Sequence, residues 1–173
     1  YVVFNGGFRD SPEWGSACII APWISYLFSG DTRVLEDNYE TMMRYVAYLG
    51  TKATGHIVNH GLGDWYDVGP AGNGPSQLTS IGLTATGLYY QDIDTLAKIA
   101  RVLGRSGDAE ALSALAAEVR GAFNAAFAHA GEAYYDRDSQ TANAMPLVLG
   151  LVEPGDRQAL LQRLAGGIGA NGD

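Results

Sequence analysis

Two stretches of the chain carry side chains suited to chemistry on a neutral, hydroxyl-rich ligand. The first is Arg9-Asp10-Ser11-Pro12-Glu13-Trp14-Gly15; the second is His60-Gly61-Leu62-Gly63-Asp64-Trp65-Tyr66-Asp67. Carboxylates accept hydrogen bonds from hydroxyls, and an indole face packs against the C–H edges of a sugar ring. In the second stretch two glycines let the backbone turn sharply, so that Asp64, Trp65 and Asp67 come together. Trp14, His60, Asp64, Trp65 and Asp67 are therefore the candidate ligand-binding residues. A plainer reading stands beside each. Asp10 or Ser11 would cap a helix that Pro12 opens, with Glu13 complementing its dipole. Trp65 would be a buried anchor and Asp64 a backbone-bonding turn residue. A third stretch, Gln140-Thr141-Ala142-Asn143, could bond hydroxyls through its amides, although capping by Thr141 is its simpler use.

Other chemistries find less support. His56 and His60 stand four apart, but Gly55 and Gly61 argue against a helix that would pair them on a metal, so no metal and no cofactor is expected. Gly69 to Gly74 lacks the Lys-Ser/Thr of a phosphate loop. Cys18 lies in an apolar run and reads as a small core residue. Paired carboxylates are the machinery of glycoside hydrolysis, at separations of roughly 5–5.5 Å for retention and 6.5–9.5 Å for inversion. Spacing along a chain supplies no such distance, so the catalytic residues stay unknown at this point.

Eleven Lys+Arg against nineteen Asp+Glu give a formal net charge of −8, with no basic cluster. Nucleic acid and anionic membrane surfaces are disfavoured as partners, because both need cationic patches. No apolar run approaches the ~20 residues of a membrane span. Tyr1-Val2-Val3-Phe4 has neither an initiator Met nor a signal-peptide layout and reads as a cut within a longer chain; the compartment, cytoplasmic or exported, is left open. The 173 residues are 47% hydrophobic and only 17% charged, with 23 Gly. Charged residues usually make up about 25%, so disorder is ruled out and the chain is greasy for its length.

The elements that must position these residues are helices. Apolar residues at three- and four-residue steps predict helices over about 11–29, 31–49, 79–103, 108–128, 141–149 and 156–164. Short links at Ser29-Gly30-Asp31, Gly104-Arg105-Ser106-Gly107-Asp108 and Pro154-Gly155-Asp156 each end in Gly-Asp, where Gly permits the turn and Asp caps the next helix. The other links, 50–78 and about 130–140, are long. Three αα-hairpins, tight at one end and loopy at the other, place every long loop and every inner-helix N-terminus on one rim. The charged second and fourth helices read as outer members and the first and third as inner ones. Such hairpins curve into a ring, and three of them make half of an all-α, six-hairpin (α/α)6 toroid whose inner surface is apolar and unfinished. The end, 166–173, reads as an uncapped loop, which a self-sufficient helical-repeat module would not have.

Pro12-Glu13-Trp14-Gly15-Ser16-Ala17, Pro22-Trp23, Gly30-Asp31, Tyr39 and Tyr48-Leu49, then Gly61-Leu62-Gly63-Asp64-Trp65 and Gln140-Thr141-Ala142, resemble in order and spacing the bacterial α-L-rhamnosidases of glycoside hydrolase family 78. The resemblance implies an (α/α)6 barrel that inverts terminal α-L-rhamnosides with a carboxylic acid and a carboxylate base. The family's acid motif lies upstream of the matched region and its base downstream, and neither motif occurs in residues 1–173. Residues 1–173 are thus expected to be a partial barrel, inactive when isolated. It would contribute part of a rhamnose pocket around Asp64 and Trp65, with a rhamnose-containing glycoside and the rest of its own barrel, or a second copy, as partners. Two alternatives remain: a non-catalytic helical module for carbohydrate or protein, and a six-hairpin glycosidase or lyase of another specificity.

Overall fold

The structure, a computed structural model, describes residues 10–72, 74–129 and 131–171, with side chains as far as residue 167. The expectations for Tyr1–Phe4, Arg9 and Asp173 lie outside the described residues. Helices α1 (Pro12–Gly15) and α2 (Ala17–Ser29) are followed by α3 (Arg33–Lys52), α4 (Ile81–Val102), α5 (Ser106–Phe127), α6 (Gln140–Leu149) and α7 (Arg157–Asn171). Three helix pairs result, α2/α3, α4/α5 and α6/α7, at the places that the periodicity predicts.

Burial follows the expected layers. In α3 the buried residues are Leu35, Tyr39, Met42, Val46 and Leu49, a single stripe, whereas α4 buries residues around most of its circumference from Gly82 to Ala100. Small residues make this possible, since Gly87 has the Met145 thioether end within 3.1 Å of where a Cβ would stand. One core joins α2, α3, α4 and α5 through Ile19, Tyr39, Ile93 and Val119. A second joins the other end of α4 to α5, α6 and α7 through Leu83, Phe123, Leu147 and Leu160. Apolar side chains stay exposed on α2, where Phe28 is 90% accessible, and on α6, where Val148 is 83% accessible.

Several expectations are corrected. The single helix over 11–29 is two pieces, joined at Ser16 by a tightened turn whose carbonyl accepts from Ile19 N and Ile20 N. In the first short link Gly30 makes the turn at φ +71° and Asp31 accepts from Arg33 N, but the residue directly before α3 is Thr32. In the second link Gly104 makes the left-handed turn, while Gly107 and Asp108 already lie inside α5. In the third the left-handed residue is Gly150, directly after α6. The expected loop after residue 164 continues as α7 to Asn171, because the buried Leu160 anchors the preceding turn and offsets the poor propensity of Gly166 and Gly167.

Each long link begins with a small hairpin that the sequence does not announce. β1 (Ala53–Thr54) pairs antiparallel with β2 (Ile57–Val58), and β3 (Ala128–His129) with β4 (Tyr134–Tyr135). Each first strand starts on the residue that ends an outer helix, Ala53 at φ −79°, ψ 143° and Ala128 at φ −78°, ψ 131°. Strands of two residues leave no alternation to read.

Candidate functional site

The rim is assembled from the N-termini of the inner helices and the links that lead into them. Ser80 caps α4, its hydroxyl accepting from Leu83 N, and Ser139 caps α6, accepting from Ala142 N. The cap of α6 is therefore Ser139, not Thr141, which lies inside the helix and faces a cleft. Thr79 Oγ1 stands 2.6 Å from Ser139 Oγ, Asp136 accepts from Ser80 N, and Arg137 donates to the Gln77 carbonyl. These bonds tie the two long links into one wall.

The loop between Gly61 and Thr79 is held by backbone geometry and by one carboxylate. Gly61 has φ +124° and Gly63 φ +72°, conformations that side chains rarely adopt. Asp67 Oδ2 accepts from Gln77 N at 2.7 Å and from Leu78 N at 2.6 Å. Bonds from the backbone, that of Leu78 first, hold the Asp67 carboxyl below its ordinary value. Asp67 thus closes the loop, and only Asp64 keeps a carboxylate loosely engaged, with a long 3.4 Å contact to Thr79 Oγ1.

Asp64 and Asp67 line a cleft of about 660 Å³ with Leu78, Gln140 and Thr141, and Asp138 and Arg163 bound it at the side. Arg163 donates through Nε to Asp138 at 2.7 Å while lying over the Tyr134 ring. That guanidinium, ahead of the opposing effect of burial, keeps Asp138 ionised below its usual range. Asn143 donates to Asp138 and accepts from Tyr135 N, so its amide is spent on the wall. Asp138 and Arg163 carried no signal in the sequence, since one stands at a helix entrance and the other on a helix face.

Trp14, Trp65 and His60 do not line this cleft. Trp65 is 44% accessible and sits 5.3 Å from the Tyr66 ring, which excludes the buried-anchor reading, and Trp14 is 45% accessible on α1. His60 Nε2 lies 2.9 Å from Asp10 Oδ2, which also accepts from Tyr48 at 2.7 Å. Partial burial pushes Asp10 up, but these two bonds together with the nearby positive charges outweigh it and hold the carboxyl below its ordinary value. Neither Asp10 nor Ser11 caps α1 with its side chain. Ser11 instead bonds Glu13 and accepts from Leu62 N, and Glu13 accepts from Gly63 N and Thr84 Oγ1, both at 3.1 Å. Glu13 is thus a strut between α1, the glycine loop and α4. No group of three or more metal-ligating side chains occurs among the described residues. No helix among them is long and apolar enough to cross a membrane.

The model of the bacterial alpha-L-rhamnosidase six-hairpin glycosidase domain matches residues 2–173. The chain belongs to that family. Among similar proteins, an alpha-L-rhamnosidase of Formosa agariphila is 29% identical over 94% of this chain, and one of Streptomyces avermitilis 30% identical over 87%. The chain spans only 18% and 14% of their lengths. The structure of the alpha-L-rhamnosidase from Dictyoglumus thermophilum superposes with TM-score 0.86 at 35% identity, over 93% of this chain and 18% of that one. The Streptomyces avermitilis enzyme complexed with L-rhamnose gives TM-score 0.86 at 29% identity, over 98% and 16%. The helical hairpins of this rhamnosidase-family chain are accordingly consecutive hairpins of a six-hairpin glycosidase fold.

Proposed function

We propose that residues 1–173 form part of the barrel of an inverting α-L-rhamnosidase and supply one side of its sugar pocket. The observation that carries this reading is the rim cleft with the loosely engaged Asp64, in a chain similar to a rhamnosidase solved with L-rhamnose. In an inverting hydrolysis a carboxylic acid protonates the glycosidic oxygen while a carboxylate draws a proton from the attacking water on the opposite face. Both groups would come from outside these residues. Asp64 would accept from rhamnose hydroxyls, with Gln140 and Thr141 opposite, while Trp65, Trp14 and His60 would shape the approach. The apolar faces of α2 and α6 would be covered by the remaining helices of the barrel.

The test is hydrolysis of an aryl α-L-rhamnoside by the full-length protein, with the first-formed anomer followed by NMR. Release of β-L-rhamnose is expected; activity on a different glycoside, or retention, overturns the proposal. Asp64→Ala should raise KM by about tenfold or more, the loss of one hydrogen bond to a charged group. An unchanged KM in Asp64→Ala and in Trp65→Ala would make the loop mere scaffold.

A further inference from the structure

Among the described residues, one carboxyl buried without charge compensation lies beneath the rim rather than in the cleft. Asp92, on α4, has no accessible surface. Its Oδ2 accepts from Ser16 Oγ at 2.7 Å, and its Oδ1 is buried without a partner. Ser16 is the join between α1 and α2, and α1 carries Glu13 and Trp14. From α3, Tyr45 closes the same knot: a Cβ on Gly15 would overlap its hydroxyl, so the turn lies flat against that ring. The titratable groups that face Asp92 are Cys18 of α2 and Tyr45 of α3, both acids, and each is held up by burial first and by Asp92 next. A bare helix join would need no buried carboxyl, and an apolar side chain would fill the space at lower cost.

We propose that Asp92 is a positioning residue that acts through Ser16 to hold the Pro12–Gly15 turn, with Glu13 and Trp14 on it, against the inner helix α4. Any bearing of the held Glu13 and Trp14 on a sugar rests on the sugar-site reading of the rim; the clamp itself does not. Ser16 can donate to Oδ2 whether Asp92 is neutral or ionised, but only the neutral acid leaves no uncompensated charge in the core. Burial raises Asp92 to about 7, against the lowering hydrogen bond from Ser16. The folded value lies above the ordinary 3.8, so the clamp is fully stable below about pH 3.8 and weakens as pH rises to about 7, then levels off. An opening that hydrates Asp92 exchanges one proton. It should therefore grow about tenfold per pH unit within that window.

Amide hydrogen exchange in the full-length protein tests this. The reporters are Trp14, Gly15 and Ser16, whose N–H groups bond Ser11 O and Pro12 O. Corrected for intrinsic exchange, wild-type protection at these amides should fall about tenfold per pH unit from pH 5 to 7 and then flatten. Asp92→Asn keeps an acceptor for Ser16 and does not ionise, so its protection should be independent of pH. Ser16→Ala should lower protection at every pH, by about tenfold or more. A flat wild-type profile, an Asn variant that keeps the wild-type slope, or unchanged protection in Ser16→Ala would each overturn the proposal. Should Asp92→Asn not fold, Ser16→Ala and the wild-type slope still decide. Exchange that behaves as expected in a protein without rhamnosidase activity would sink the sugar-site reading and leave the clamp standing.

Discussion

At Gly61 a missing side chain decides the geometry of the rim. A Cβ there would stand 2.7 Å from Glu13 Oε2, on a backbone already at φ +124°. Gly61→Ala should therefore cost about 1–3 kcal/mol from backbone strain with crowding added, measured by denaturant unfolding with an unchanged m-value. Glu13→Gln should cost less, since one oxygen still accepts from Gly63 N and Thr84, but the amide must find a new place against Ser11. At this scale the sequence is readable for type and unreadable for partner. The glycines of His60–Asp67 announce a sharp turn, and the turn is there. That Asp67 spends itself on Gln77 and Leu78, or that Glu13 reaches Thr84 seventy-one residues away, depends on how helices meet. Periodicity does not encode that meeting.

Helices α4 and α6 enter alike, each behind a serine whose hydroxyl accepts from the amide three residues on. Ser139→Ala should lower stability by about 1 kcal/mol and Ser139→Asp should largely retain it, the usual difference for an N-cap; thermal melts of the two variants would show it. A larger loss in Ser139→Ala would mean that the bond to Thr79 Oγ1 carries more than the cap. The positions of the helices were legible because their apolar stripes are long. Their ends were less so: Asp108 looks like a cap in sequence, yet it lies within α5 and accepts from the Tyr39 hydroxyl. Burial of Leu160 likewise carries α7 through glycines that propensity alone would end.

Over the whole molecule the surplus of apolar residues has an address. Ile24, Leu27 and Phe28 on α2 lie open, and contiguous exposed apolar surface of this kind drives association. The 173-residue chain by itself should self-associate or bind ANS, and Leu27→Glu combined with Phe28→Lys should suppress both, as sedimentation and fluorescence would report. A monomeric wild-type chain that leaves ANS dark would mean that this face is not sticky. The sequence predicts an unfinished surface, although not which helix bears it, because α2 and α4 look equally apolar until their neighbours are known. The two small hairpins have a consequence of another kind. From outer helix to β-hairpin the chain runs the same course twice, and between hairpin and next inner helix it then spends residues 59–80 in one case and 136–139 in the other. The unit is thus a fixed frame with one slot of free length, opening on the rim. What fills that slot differs in length while the frame does not, so its length can change only where the bonds from Thr79 to Ser139 and from Ser80 to Asp136 are kept.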